Sequence, residues 1–360
     1  MISNESNVMT TSPTATNRVA ERRTLRERLT VRRLAITLAV LAALLLLIAV
    51  VAITVGSEHV GPGAILKIVV SEITGREAFV TPEQRKIIAD LRIPRVMMAI
   101  IVGAALAVAG AAYQALLRNP LADPGILGVS SGAAIGALAA TLFAESLPVG
   151  RPIAAFIGAV ATTALVYWLS RGGQGDSSVR LILAGVIINS LLSSIVIFLV
   201  TMAGSRQQNV ISWLIGHLSI EEPLLPLVAA LIFAGILAIF LNARSLNLLM
   251  AGEQDALALG VEVERVKIVV YIAASLVTGA AVAVSGAIGF VGLIIPHAVR
   301  LTGGSDNRLV VPASALVGGA FLLVADLIAR TVIAPRDLNI GVITALIGAP
   351  VFVYLLRRTS

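Results

Sequence analysis

The sequence predicts an all-α polytopic membrane protein of about ten transmembrane helices with an internal inverted repeat. Three observations predict it: an apolar composition, the spacing of charged residues, and a motif that recurs far apart in the chain. Of 360 residues, 58% are hydrophobic and only 13% charged, with a mean hydropathy of +0.96. A soluble domain carries about a quarter charged residues, so this chain belongs in lipid. With 4% aromatic residues and 31 Gly, the composition suits helices packed through small residues. An outer-membrane barrel would show short alternating strands and aromatic girdles instead. The absence of Cys excludes disulfides and thiolate metal sites. The net charge of +7 is mostly Arg in tails and loops, a pattern that sets membrane topology rather than binding nucleic acid.

A bilayer core about 30 Å thick needs roughly 20 apolar helical residues. Nine stretches lack Asp, Glu, Lys and Arg: Arg33 to Glu58, Arg95 to Arg118, Asp123 to Glu145, Arg151 to Arg171, Arg180 to Arg206, Glu222 to Arg244, Lys267 to Arg300, Arg308 to Asp326, and Asp337 to Arg357. The seventh would reach about 48 Å as a single helix. It contains Gly286, Gly289, Gly292 and Pro296, so a turn is expected after about Ala287, giving one full helix and one shorter one. Ten spans also satisfy the charge rule. The arginines from Arg18 to Arg33, with Arg357 and Arg358 at the other end, place both termini in the cytoplasm of a bacterial inner membrane, which requires an even number of crossings. The segment from Gly56 to Ile93 then lies outside despite Lys67, Arg76, Arg85, Lys86 and Arg92.

Residues 1–32 read as a basic, disordered cytoplasmic tail, and 33–358 as a single transmembrane domain. The run from Leu34 to Gly56 is too long for a signal-peptide core and is expected to be a retained helix. Gly103 to Ala111 (GAALAVAGA) in the second span recurs as Gly279 to Ala287 (GAAVAVSGA) in the seventh, and the same offset brings Pro120 onto Pro296. Five spans separate the copies, so they cross in opposite directions, the signature of an inverted repeat.

No GxxxxGK[ST] phosphate loop is present, since Lys67, Lys86 and Lys267 do not follow Gly; nucleotide hydrolysis belongs on another chain. His59, His217 and His297 are isolated, which predicts no metal site. Asp326 and Arg330 form an acid-base pair at helical spacing. Asn189 and Ser193 share a face of the fifth span, a polar stripe that lines a pathway or joins helices. The stretch from about 245 to 262 is too polar to span yet amphipathic, so it is a candidate docking surface.

Several motifs occur in order: Arg92-Ile-Pro-Arg95, Val102 to Gly110, Asn119 to Gly128 (NPLADPGILG), Arg180 to Val186 (RLILAGV), Gly252-Glu253 with Leu259-Gly260, Gly286 to His297 (GAIGFVGLIIPH), Ala325 to Arg330 (ADLIAR) and Gly341 to Pro350 (GVITALIGAP). Together they resemble the FecCD-type permeases of iron-siderophore, haem and cobalamin ABC importers, from about Arg92 to Arg358. The resemblance implies a type II ABC importer permease fold, neither an enzyme nor a cofactor protein. It implies partners too: a second permease copy forming a homodimer, two ABC ATPase subunits on the cytoplasmic side, and a periplasmic or lipid-anchored substrate-binding protein outside. Carried over by motif, Gly252, Glu253, Leu259 and Gly260 couple to the ATPase. Arg92, Arg95 and Arg330 meet acidic residues of the binding protein. Asn119, Leu121, Ser177 and Ser178 narrow the cytoplasmic end of the pathway.

Asn189, Ser193 and His217 are weaker candidates for its lining. Fe(III)-siderophore is the first expectation for cargo, with haem and cobalamin as alternatives. A secondary transporter driven by an ion gradient is the competing class, and it would need intramembrane carboxylates, of which Asp326 is the candidate.

Overall fold

The computed structural model describes residues 31–56, 63, 70, 74, 81–143, 150–171, 177–218, 224–334 and 336–359. The predicted tail therefore lies outside the described residues except at its last two positions, as does most of the segment between Gly56 and Thr81.

All elements among the described residues are helical. They are α1 (Val31–Thr54), α2 (Ile93–Leu116), α3 (Val129–Phe143), α4 (Gly150–Ser170), α5 (Ser177–Met202), α6 (Gln207–Leu214), α7 (Leu225–Leu241), α8 (Ala243–Ala251), α9 (Glu253–Ala258), α10 (Val263–Ser285), α11 (Val291–Gly303), α12 (Asn307–Thr331) and α13 (Ile340–Thr359). A short turn at Pro82–Arg85 and a π-helical stretch at Lys86–Arg92 lead into α2.

Ten of these helices coincide with the ten predicted segments. Six are long and apolar enough to cross a membrane by themselves, or seven if α7 and α8, bent by 52°, count as one; α3, α11 and α13 are shorter apolar helices. The over-long seventh stretch breaks where its glycines predict. Helix α10 ends at Ser285, Gly286 takes φ +67°, and α11 starts after Phe290 at φ +71°.

Helix α2 is the buried axis, with small residues from Val102 to Ala115 almost wholly enclosed. Without a hydrophobic drive between helices in lipid, close backbone approach must supply the packing. A Cβ at Gly103 would collide with the Gly318 carbonyl of α12, and one at Gly110 with the Gly292 carbonyl of α11.

The repeat is visible in this packing. Helix α2 lies against α12 and α11; its counterpart α10 lies against α4 and α3. Within each half, α3, α4 and α5 touch mutually, as do α11, α12 and α13. The first glycine of each copy seats on a neighbouring helix, Gly103 on Gly318 of α12 and Gly279 on Ala159 of α4, whereas the second differs: Gly110 lies mid-helix on Gly292 and Gly286 ends α10. The two axes are antiparallel, because the C-terminal end of α2 and the N-terminal end of α10 meet at one carboxylate, Glu253.

The bundle thus has two distinct ends. Arg118, Glu253, Lys267 and Arg300 mark one; Arg95, Asp326, Arg330 and Asp337 mark the other. Arg330 donates to the carbonyl of Ala52 (2.9 Å), late in α1, and Asp337, just before α13, pairs with Arg95. Val31 and Thr359, at the far ends of those two helices, therefore lie toward the Glu253 end.

Candidate functional site

At the Glu253 end the chain makes an elbow. Helix α8 stops because Gly252 adopts φ +154°, open to glycine and strained for other residues. Helix α9 starts on Glu253, and Gly260 at φ +81° returns the chain toward α10.

Glu253 Oε2 accepts from Lys267 Nζ at 2.7 Å, and its Oε1 lies 3.6 Å from Nη2 of Arg118. One carboxylate thus ties the elbow to the ends of both repeat axes. Leu257 and Leu259 are 59% and 67% exposed beside it, while Ala256 is buried and anchors α9. This is an apolar knob on a charged hinge, a shape suited to a protein groove.

A second network, absent from the sequence reading, braces α8. Asn247 Nδ2 donates to Asp306 Oδ1 (2.8 Å), and Asn247 Oδ1 accepts from both the backbone N–H and Nδ2 of Asn307 (each 2.8 Å). Arg300 in turn donates through Nη2 to Asn307 Oδ1 (3.0 Å) and to the Ala111 carbonyl of α2 (3.2 Å). Burial would raise the Asp306 pKa, but hydrogen bonds from Arg308, its backbone N–H and Asn247 outweigh it and hold the carboxyl down at about 2. The available signal was the N-cap position of Asp306 before α12.

At the opposite end, the predicted Asp326–Arg330 pair is present, with Nε 3.0 Å from Oδ2. It belongs to a larger cluster. Arg95 donates to Asp326 Oδ1 (2.8 Å) and Asp337 Oδ2 (2.7 Å).

Arg92 is buried and donates to the carbonyls of Ile53 (2.8 Å) and Thr54 (3.2 Å). The three arginines expected to face a partner are therefore committed within the chain, and the Arg95 and Arg330 side chains keep only 12% and 10% of their surface exposed. Asp326 and Asp337, the acids that hold Arg95, lie 231 and 242 positions from it in sequence, which is why spacing could not show these two contacts.

Asn119 Oδ1 accepts from the Leu121 N–H (2.9 Å), tightening the turn after α2, and Leu121 is exposed. Ser177 and Ser178 open α5; their side chains lie outside the described residues. Asn189 Oδ1 accepts from the Ser131 hydroxyl (2.6 Å) of α3, so this part of the polar stripe joins two helices, while Ser193 is partly buried on the same helix.

His217 donates its backbone N–H to the Ser285 carbonyl (2.8 Å). Burial, then the charge of Arg95, lower its pKa. It sits in the irregular segment after α6 that packs against the α10–α11 break, where Gly286 packs on the Trp213 carbonyl and Gly341 on that of Ile215. Among the described residues no three His, Asp or Glu side chains gather as a metal site.

Known proteins resemble this chain over most of its length. The ABC transporter permease protein YvrB of Bacillus subtilis is 42% identical over 316 residues, covering 86% of this chain and 90% of that protein. The hemin transport system permease protein HmuU of Yersinia pestis is 42% identical, covering 75% and 82%. The cobalamin import system permease protein BtuC of Halobacterium salinarum is 45% identical, covering 78% and 76%.

Among solved structures, one described as an inward-facing conformation of a metal-chelate type ABC transporter matches with a TM-score of 0.76 at 31% identity, over 89% of this chain and 98% of that one. The profile of the FecCD transport family matches residues 44–358. With nearly the whole helical bundle inside that match, the chain belongs to the FecCD transport family, the permeases of ABC importers.

Proposed function

We propose that this permease carries a metal chelate, Fe(III)-siderophore first, inward across the bacterial inner membrane by alternating access, driven by ATPase subunits seated on the α8–α9 elbow. The observation that carries the reading is the placement of Glu253. It sits on the exposed elbow yet holds Arg118 at the end of α2 and Lys267 at the start of α10. A push on the elbow thereby reaches both repeat halves at once, and two halves moving against each other is how inverted-repeat transporters switch access.

In this reading the Glu253 end is cytoplasmic, both termini lie there, and Asn119, Leu121, Ser177 and Ser178 form the inner gate. The opposite end receives the binding protein. There Arg95 and Arg330 act with their acids as a rigid platform, and Arg92 fixes the end of α1 beneath it. The permease pairs with an identical copy, leaving the pathway between them. The chain itself performs no chemistry, so a smooth small-residue wall suffices.

The ion-gradient alternative is disfavoured by the setting of Asp326, which is fully buried between Arg95 and Arg330 and so poorly placed to exchange protons or ions.

The test is uptake of Fe(III)-siderophore, hemin and cobalamin into vesicles holding the permease with its ATPase and binding protein. ATP-dependent uptake of one chelate is expected. Uptake by the permease alone along an ion gradient would overturn the reading. Because the chain has no Cys, a single Leu257→Cys substitution also allows clean crosslinking of the elbow to the ATPase.

A further inference from the structure

Glu253 is one attachment of the elbow, and the stem of the elbow has another. Asn247, on α8, reaches the first residues of α12. Its Nδ2 donates to Asp306 Oδ1, and its Oδ1 accepts from the backbone N–H and from Nδ2 of Asn307, each at 2.8 Å. The first N–H groups of a helix find no partner within that helix. Asp306 caps the one on Arg308 (2.9 Å), whereas the one on Asn307 is capped from α8. A side chain of one helix therefore closes the N-terminus of another. Asn307 has no exposed surface, so sliding α8 away from α12 would strand a buried donor, which a fold resists strongly.

Helix α12 carries that attachment a long way. Its 25 residues reach about 37 Å, more than the bilayer core of about 30 Å, and its far end holds Asp326 and Arg330. It does not travel alone. At the near end Arg300 donates to Asn307 Oδ1 (3.0 Å) and to the Ala111 carbonyl of α2 (3.2 Å). Midway, Gly318 lies against Gly103 and Ala107 of α2. At the far end Asp326 accepts from Arg95 (2.8 Å), which precedes the buried part of α2. Fastened near, midway and far, α2 and α12 form one body across the bundle, and packed bodies shift as units rather than deforming smoothly.

We infer that Asn247 is a positioning residue of the elbow, fixing α8 to the α2–α12 pair so that a displacement of the elbow arrives at the Asp326–Arg330 end. Glu253 ties the elbow to both repeat axes, and Asn247 ties it to this pair. Loss of Asn247 leaves the Glu253 clamp in place and removes the hold of α8 on α12. The inference rests on the reading of the elbow as the ATPase seat, and its test separates the two.

The full permease with Val332→Cys, a position directly after α12 that is 62% exposed, takes a fluorophore at its single thiol before the ATPase is added, and the complex is placed in nanodiscs. A non-hydrolysable ATP analogue is expected to shift the emission of the label. Asn247→Ala is expected to cut that shift about fivefold, the weight of one net hydrogen bond in a two-state equilibrium. In parallel samples crosslinking at Leu257→Cys is expected to be equally efficient with Asn247 and with Ala at that position, because a residue that only kept the elbow folded would lower both readouts together. Hydrogen exchange of the Asn307 amide in the wild-type complex gives a second measurement without any variant, and the analogue is expected to change it. An emission shift of full size in Asn247→Ala, no shift in either protein, or unchanged exchange at Asn307 would each overturn the inference. So would a crosslink that falls in step with the shift. Absence of the crosslink while Asn247 is intact would remove the ATPase seat itself, and the inference with it.

Discussion

Asp326, with no exposed surface, lies 2.8 Å from Nε of Arg95, its partner across 231 positions of sequence. That contact joins α2 to α12, the same pair of helices that Gly103 and Gly318 bring together. Removing the carboxylate leaves Arg95 and Arg330 poorly hydrated and like-charged, a change that costs about 3 to 5 kcal/mol for buried pairs. Asp326→Ala is therefore expected to lower the thermal midpoint sharply in detergent, with Asp326→Asn milder because the amide still accepts. A midpoint unchanged in both would mean that the cluster contributes nothing to the fold.

Glu253 is expected to matter for coupling more than for folding, since it is partly exposed and its bonds lie at the surface of the bundle. Loss of a charge-assisted hydrogen bond of about 1.5 kcal/mol corresponds to roughly tenfold in an equilibrium. Glu253→Ala should reduce ATP-driven uptake about that much while leaving the amount of folded permease unchanged. Uptake and ATPase rate measured on the same vesicles check it, and an unaltered uptake rate counts against the clamp.

Small residues on α2 set how closely helices approach. Gly103→Ala and Gly110→Ala each force a methyl into a facing backbone carbonyl, and overpacking of this kind costs about 1 to 3 kcal/mol. Gly289→Ala is the control, with nothing within 4 Å of the added methyl. Thermal midpoints of the three variants should separate into two destabilised and one neutral.

Asp306 gives a pH dependence of definite sign. Its carboxyl is held at about 2 rather than the usual 3.8, so the folded state favours the charged form. The stabilisation, on the order of 2 kcal/mol, is complete above about pH 4 and is lost as pH falls through about 2. Asp306→Asn should reduce stability at pH 7 and flatten the acid limb between those values. An identical acid limb in both proteins would show that the Asn247–Asp306–Arg308 bonds carry no net energy.

Much of this architecture could be read from the chain alone. Charge-free lengths gave the positions of the apolar helices, six or seven of them long enough to span, because lipid penalises a buried charge wherever it falls in the fold, and that penalty is written residue by residue. The Gly286 break and the recurrence of Gly103 to Ala111 at Gly279 to Ala287 were legible for a similar reason, since glycine spacing is a local record of turns and close contacts.

What only the tertiary structure decided is who meets whom. Spacing revealed Asp326 with Arg330 at one helical turn but neither Arg95 nor Asp337. It marked Glu253 as a candidate without Arg118 or Lys267, and it missed Asn247, Arg300 and Asn307 altogether. The family resemblance gave Arg92, Arg95 and Arg330 as charges that meet a partner, and nothing in their spacing gave their more distant neighbours within the chain. In the fold Arg92 bonds the Ile53 and Thr54 carbonyls, Arg95 bonds Asp326 and Asp337, and Arg330 bonds both Asp326 on its own helix and the distant Ala52 carbonyl. Ion-pair partners depend on distance in space, and a bundle built of two antiparallel repeats brings together residues that no local periodicity connects.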